Sequence, residues 1–275
     1  MDTKKYIAPG GWFSLEYPAT WSEFEDEEGS FLFYNPSKWS GNFRISAYKD
    51  QSPVFGKDSI SYELSHNKQS SRCLIGGREC AYSTEDFEEE GVEYTSYFWV
   101  TGEGNTSVEC SFTVKKGMKK DQAESIIASL EIRSDKKHYP KEYIPVRVLE
   151  INEINSQYEW LVTQVKKIFK KDFTSSKKDI DLLQELIDRK AFKPSQQEAW
   201  QAVGIAFGTI VVNEMDGMDW ITVIDEPYEY PALRLGQTDL VVDVTNLPGD
   251  TCWKEGQGNL KRAFEWIKTE VEKRL

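Results

Sequence analysis

The segment at residues 11–21 constrains the fold more than any other part of the chain. Its side chains alternate between the two faces of an extended strand, and Phe13, Leu15 and Tyr17 form the more apolar face. Pro18 ends this strand, because proline has no N–H group to contribute to a sheet. The segment therefore predicts a strand that turns one apolar face toward a core.

The next hundred residues predict further strands interrupted by helices. Strand patterns and helical patterns alternate along the chain: strands at residues 31–35 and 42–48, a helix at 57–70, strands at 92–101 and 107–115, and a helix that begins at Asp121. The two strands at 92–115 alternate in the way that neighbours in an antiparallel sheet do. The acidic run at 85–90 is expected to form a loop or a hairpin tip.

The dipeptide Gly76-Gly77 predicts a hairpin with a two-residue turn. Such a turn places Cys73 opposite Cys80 on one face of the sheet, where a disulfide would be geometrically possible. We expect reduced thiols instead, because disulfides are rare in a reducing cytoplasm. Cys110 and Cys252 are expected to be packing residues.

The motif Phe-Ser-Leu-x-Tyr-Pro-x-x-Trp at residues 13–21, together with this order of elements, resembles the PsbP-like family over residues 6–133. The resemblance implies an antiparallel sheet with flanking helices. It also implies protein binding rather than a reaction, because members of that family share no catalytic residues. Fold likeness of this kind does not fix a function.

The second half of the chain predicts a helix-rich α+β domain. The polar stretch at 134–143 is the best linker candidate, so we predict domains at residues 1–136 and 144–275. Residues 146–151 are expected to form a short strand or an extended lead-in. The following elements are helices at 152–171, 177–191 and 195–214, a meander of three strands at 220–225, 232–235 and 240–245, and a closing helix at 259–273.

This half resembles the second domain of uncharacterised bacterial proteins in which a PsbP-like domain comes first. The resemblance lies in Val203-Gly204-x-x-Phe207-Gly208 and in the strands that follow. The spacing of Gly204 and Gly208 predicts a helix packed closely against the sheet of its own domain. Pro194 is expected in the first turn of that helix.

Charge and hydropathy exclude several kinds of partner. The 275 residues carry a formal net charge of −12, which argues against binding to nucleic acid or to an anionic membrane surface. The sequence shows neither a signal peptide nor an apolar run long enough to cross a bilayer. We therefore expect a cytoplasmic protein without membrane insertion.

Candidate catalytic groups are few. His66 and His138 have no cysteine or carboxylate at the spacing of a tight metal site, so neither a metal nor a cofactor is expected. Carboxylates crowd residues 214–243, and paired carboxylates serve acid–base chemistry or bind a hard cation. The members of this set are Glu214, Asp216, Asp219, Asp225, Glu226, Glu229, Asp239 and Asp243.

Aromatic residues are the remaining signal, with nine tryptophans in the chain. Trp39 lies in a predicted loop and is the main candidate for a binding anchor; Trp12, Tyr17 and Trp21 complete the candidate set. Other tryptophans, at 160, 200 and 266, are expected in the core. The sequence thus favours a non-enzymatic, protein-binding or chaperone-like adaptor whose partner is a protein. The alternatives are a cation-dependent hydrolase that uses the carboxylates at 214–243 and an immunity-type inhibitor.

Overall fold

The computed structural model describes residues 2–25, 29–134, 137–193, 195–246 and 259–275. The chain divides into two compact units, Met1–Pro140 and Lys141–Leu275. Both units combine antiparallel sheets with helices, which confirms the predicted α+β class. Independent folding of domains 1–136 and 144–275 stays a prediction.

The described part of the first unit contains two antiparallel sheets and two α-helices. The strands are β1 (Thr3–Ile7), β2 (Phe13–Pro18), β3 (Ser22–Glu25), β4 (Ser30–Tyr34), β5 (Asn42–Lys49), β6 (Ser71–Ile75), β7 (Arg78–Glu89), β8 (Val92–Glu103), β9 (Thr106–Lys115) and β10 (Glu131–Ile132), and the helices are α1 (Phe55–His66) and α2 (Asp121–Ser129). One sheet has the order β1-β2-β10. The other has the order β3-β4-β5-β9-β8-β7-β6.

The core of the first unit is aromatic, because strand alternation turns a row of large side chains inward. The ring centroids of Tyr6 and Phe33 are 5.2 Å apart, and those of Tyr17 and Phe33 are 5.0 Å apart. Trp21 stacks on Phe112 at 6.4 Å. All five side chains are buried. Large buried rings contribute roughly 1.5–3 kcal/mol each, so this row holds the two sheets together.

The Gly76-Gly77 hairpin forms as predicted. Both glycines have positive φ angles, 57° and 81°, which a two-residue hairpin turn requires. Cys73 pairs directly with Cys80, and both are free thiols. Cys252 lies outside the described residues.

Of the two structures predicted for residues 85–90, the loop is wrong and the hairpin tip is present only at Glu90. Strand β7 continues through Glu89, which pairs with Val92, and the turn consists of Glu90 and Gly91 alone. The charged residues can stay in a strand because each of residues 84–89 is exposed to solvent. Charge therefore did not end the strand; the turn did.

Helix α1 lies across the seven-stranded sheet at a close approach. A Cβ atom on Gly56 would lie 2.4 Å from the backbone nitrogen of Glu103 and 2.5 Å from the carbonyl oxygen of Thr106. Only glycine allows this contact. Apart from Gly56, the buried residue of the helix is Ile60, which explains the weak apolar stripe in the sequence. The helix ends at His66, four residues before the predicted end.

The described part of the second unit contains a four-stranded antiparallel sheet and four α-helices. The strands are β11 (Glu142–Pro145), β12 (Met218–Asp225), β13 (Tyr228–Leu235) and β14 (Val241–Val242), and the helices are α3 (Val148–Phe169), α4 (Ile180–Asp188), α5 (Gln197–Glu214) and α6 (Leu260–Glu272). The predicted meander is present, and β11 adds a fourth strand beside β12. Residues 142–143 lie in β11, so the linker predicted at 134–143 from its polarity ends before them. The extended lead-in predicted at 146–151 is wrong, because α3 begins at Val148.

Helix α5 is the centre of the second core. Ten of its residues are buried, and it packs close to the sheet at Gly208, where a Cβ atom would lie 2.8 Å from the Trp220 ring and 2.9 Å from Val244. The predicted close packing of this helix against its own sheet is confirmed at Gly208. Pro194, predicted in its first turn, lies outside the described residues.

Candidate functional site

Trp39 lies in the loop between β4 and β5, and local hydrogen bonds fix its position. The Asn35 side-chain oxygen accepts the backbone N–H groups of Ser37 and Lys38 at 2.9 and 3.1 Å. The Trp39 indole N–H donates to the Asn42 side-chain oxygen at 3.0 Å. The side chain is nevertheless 38% exposed. The loop thus presents an ordered ring to solvent.

Trp39 is one member of an aromatic patch on the outer face of the seven-stranded sheet. Its ring meets the edge of Tyr94 at 6.1 Å, and Tyr94 stacks on Phe87 at 5.4 Å. Phe87 and Tyr94 are directly opposed in the β7–β8 pair, so both side chains lie on the same face. Phe87 is also 38% exposed. We call Trp39, Phe87 and Tyr94 the aromatic patch.

The aromatic patch has acidic surroundings. Glu85 and Glu89 lie two positions to either side of Phe87 along β7, on the same face, and both are exposed. Lys115 is directly opposite Tyr94. On the other face, the Thr95 hydroxyl donates to Asp86 at 2.6 Å, and Lys116 lies 3.4 Å from the same carboxylate. The Thr95 hydrogen bond, with help from Lys116, lowers the pKa of Asp86.

The assignment of Tyr17 and Trp21 to a binding surface is corrected by the structure. Tyr17 is 5% exposed and Trp21 is 2% exposed, and both belong to the aromatic core. Burial, followed by the charge of Glu23, raises the pKa of Tyr17 to about 12. Tyr17 packs against Phe33, and Trp21 packs against Phe112, both in the seven-stranded sheet. Neither ring is therefore accessible to a partner at the surface.

Trp12 is partly buried and lines a second apolar feature of the same unit. A cleft of about 330 Å³ lies between the segment that precedes β2 and the ends of β4 and β5. Its walls include Trp12, Phe13, Phe31 and Tyr48. The Lys49 ammonium lies 4.9 Å from the centre of the Trp12 ring, a distance typical of a cation–π contact. The four predicted residues thus separate into Trp39 at the patch, Trp12 at this cleft, and two core residues.

The carboxylates at 214–243 have separate partners. Asp225 pairs with Lys141 at 2.7 Å, and Asp239 pairs with Arg274 at 3.0 Å. Asp243 accepts the N–H and the hydroxyl of Thr245, both at 2.9 Å. Within the described ranges, no three His, Cys, Asp or Glu residues come together in a way that would hold a metal ion.

Glu229, another member of that set, belongs to a buried charge cluster that the sequence did not predict. Arg147 and Glu150 are buried at the start of α3, and Arg147 forms ion pairs with Glu150 and, at 2.6 Å, with Glu229 of β13. Burial lowers the pKa of Arg147, but the two carboxylates outweigh it and raise the pKa overall. The cluster joins a helix start to the sheet, which is a structural role.

Cys73, Cys80 and His66 lie in environments that do not activate a nucleophile. Burial raises the pKa of Cys80 to about 11 and also raises the pKa of Cys73, so both thiols stay protonated near neutral pH. The Ser65 hydroxyl lies 2.9 Å from the His66 ring, but it also donates to the Tyr62 carbonyl oxygen at 2.9 Å. The hydroxyl proton of Ser65 is therefore held in a hydrogen bond within the last turn of α1.

A polar cleft of about 550 Å³ in the second unit was also missed by sequence reasoning. It is formed by Ser156, Gln157 and Trp160 of α3 and by residues 195–199 at the start of α5.

Trp160 is 39% exposed, and Trp266 of α6 is 38% exposed; the prediction that both lie in the core is wrong. Helical spacing alone does not distinguish the rim of a core from its centre.

Two family models match parts of this chain. A family model described as a domain of unknown function, DUF3805, matches residues 1–155, and a second, DUF3806, matches residues 179–264. The chain belongs to the DUF3805 family. Curated proteins gave no match.

Solved structures extend this comparison. A crystal structure of a protein from Bacteroides thetaiotaomicron VPI-5482 is 47% identical, covers 96% of this chain and 98% of its own, and superposes with a TM-score of 0.89. Cyanobacterial PsbP from Synechocystis sp. PCC 6803 is 12% identical over 48% of this chain and 92% of its own, with a TM-score of 0.27. LpqN of Mycobacterium tuberculosis, involved in cell envelope biogenesis, is 12% identical over 47% of this chain and 88% of its own, with a TM-score of 0.28.

Across the part of the chain that the structure describes, every helix is too short or too polar to cross a membrane.

Proposed function

We propose that this protein is a non-enzymatic, chaperone-like adaptor of the bacterial cytoplasm, and that it binds a protein partner through the aromatic patch. The observation that carries the proposal is the exposure of two contiguous aromatic side chains, Trp39 and Phe87, around Tyr94. Tryptophan and tyrosine are enriched among the residues that dominate binding energies. Contiguous exposed apolar surface is typical of interaction sites.

Preorganisation of the patch supports the proposal. A surface side chain loses rotamer freedom when a partner binds, at a cost of about 0.5–1.5 kcal/mol. The hydrogen bond from Trp39 to Asn42 and the contact with Tyr94 hold the indole in one orientation before binding. More of the contact energy then remains as affinity.

The test is affinity capture from cells that express the protein, with wild type and the Trp39→Ala variant. Removing the ring is expected to weaken capture of the partner at least about tenfold, which corresponds to about 1.4 kcal/mol. The matched control is Trp266→Ala, because Trp266 is the same residue type and has the same 38% exposure in the other unit. Thermal unfolding of both variants checks that each is folded.

The result that supports the proposal is a partner lost with Trp39→Ala and retained with Trp266→Ala, and confirmed by titration of the purified pair. Equal capture by both variants would exclude the aromatic patch as the binding site.

A further inference from the structure

Strand β7 leaves part of its edge open. It has 12 residues, of which Arg78–Tyr82 pair with the five residues of β6. On its other side it pairs with β8 from Ala81 to Glu89. Residues 84–89 therefore have a neighbouring strand on one side only, among the residues that the structure describes.

The direction of the open backbone groups follows from the two turns. In a two-residue hairpin, the residues that flank the turn exchange both backbone hydrogen bonds, and every second residue from there repeats the pattern. Glu89 flanks the β7–β8 turn, so Glu85, Phe87 and Glu89 bond to β8. The N–H and C=O groups of Thr84, Asp86 and Glu88 consequently point away from β8, toward the open edge.

The negative charge of this edge favours a positively charged binding partner. Six carboxylates lie on or beside the free part of β7, and the basic residue paired with two of them is Lys116; the six are Glu85, Asp86, Glu88, Glu89, Glu90 and Glu93. A second copy of the chain would bring the same negative charges against its own, and like charges directly opposite in a sheet are destabilising. A segment rich in lysine or arginine would gain attraction instead.

We propose that an extended, basic segment of a partner protein pairs with Thr84–Glu88 as an additional strand beside β7. Recognition of this kind takes affinity from main-chain hydrogen bonds and specificity from alternate side chains. The partner residue opposite Phe87 would lie beside the aromatic patch, and its two immediate neighbours would meet Asp86 and Glu88 on the other face of the sheet. This inference rests on the proposed protein-binding function and names the chemistry of the partner.

The probe is a fluorescein-labelled, eight-residue peptide that alternates lysine and valine, titrated against the full chain at low ionic strength. The first control has the same sequence and charge but carries a methyl group on every backbone nitrogen, so it has no N–H group to donate to β7. An alternating glutamate–valine peptide has the opposite charge. The lysine–valine peptide is expected to bind at least about tenfold more tightly than either control.

Amide hydrogen exchange gives a signature that charge attraction alone would not produce. The amides of Thr84, Asp86 and Glu88 should exchange rapidly in the free protein and become protected by the lysine–valine peptide. The amides of Glu85 and Phe87 already bond to β8 and should change little. Protection should thus alternate with a period of two residues.

Two proline variants test the same groups from the protein side. Thr84→Pro and Glu88→Pro each remove one outward N–H group, and proline is tolerated at strand edges whose N–H faces solvent. Each should weaken peptide binding about three- to tenfold. The control Thr84→Ala keeps both the N–H group and the charge, and should bind like wild type. Two variants keep the test valid if one of them fails to fold.

Equal binding of the two lysine peptides would overturn the inference, and so would protection without the two-residue period. A dimer seen by sedimentation, and lost in Thr84→Pro, would overturn it in favour of pairing between two copies. If the Trp39→Ala variant binds the peptide as wild type does, with the same alternating protection, the pairing at the edge of β7 is supported. That result holds even if affinity capture excludes the aromatic patch as a binding site.

Discussion

Tyr17 links burial to a measurable pH dependence. Its pKa is about 12 in the folded protein against 10.0 for an unperturbed tyrosine. The unfolded chain therefore loses the phenol proton first as pH rises, and the folded state loses stability between pH 10 and 12. A difference of two pKa units corresponds to about 2–3 kcal/mol at the upper end of this range.

The Tyr17→Phe variant should show a shallower loss of unfolding free energy above pH 10 than wild type, because phenylalanine has no proton to lose. Urea unfolding at intervals from pH 8 to 12 measures the difference. The control Tyr228→Phe removes the hydroxyl of a residue that is 70% exposed and should leave the slope unchanged. Parallel curves for wild type and Tyr17→Phe would contradict the burial of this phenol.

Two tryptophans show how far the sequence alone predicts the position of a single side chain. The loop Asn-Pro-Ser-Lys before Trp39 has strong turn residues, so the position of Trp39 in a loop was predictable, although its exposure was not. Trp21 follows a similar turn, yet it is 2% exposed because it stacks on Phe112. These two residues are 91 positions apart in sequence, and only the fold brings them together.

At the scale of single elements, Gly56 controls how α1 lies on the sheet. A methyl group there would overlap the backbone of Glu103 and Thr106, and backbone cannot move aside as a flexible side chain can. Gly56→Ala is therefore expected to destabilise the protein by about 1–3 kcal/mol through overpacking. The neighbouring Lys57→Ala, on the exposed side of α1, should change stability by less than about 0.5 kcal/mol. Urea unfolding compares the two, and equal stabilities would show that α1 lies farther from the sheet.

Local pattern was sufficient for elements whose pairing is local. The hairpin at Gly76-Gly77 and strands β8 and β9 join through short turns, and their alternation is regular, so their register was predictable. Strands β1, β3 and β11 were missed because their sequences are short and rich in charged or polar residues. Strand β11 pairs with β12 across more than 70 residues of chain. Such strands exist because a partner edge is available, which a sequence window does not contain.

At the scale of the whole molecule, the proposed binding features both belong to the first unit. The aromatic patch was partly predictable, since Trp39 is a sequence-based candidate, but Phe87 lies in a stretch predicted to form a loop or a hairpin tip. The open edge of β7 was not predictable, because it depends on β6 beginning only at Ser71, opposite Tyr82, while β7 continues to Glu89. A difference in the lengths of two neighbouring strands appears only when their register is known.

The division of the chain predicts independent stability of its two parts. Each unit has its own hydrophobic core, and the stretch at 134–143 between them is polar. Exposed polar connections are cut before packed elements because they reach a protease without unfolding. Limited proteolysis with trypsin should therefore cut first between residues 134 and 141, where lysines are plentiful. The two purified fragments should each unfold cooperatively on heating. First cuts within 90–130 or 200–245, or fragments that aggregate on separation, would show that the two parts are not independent domains.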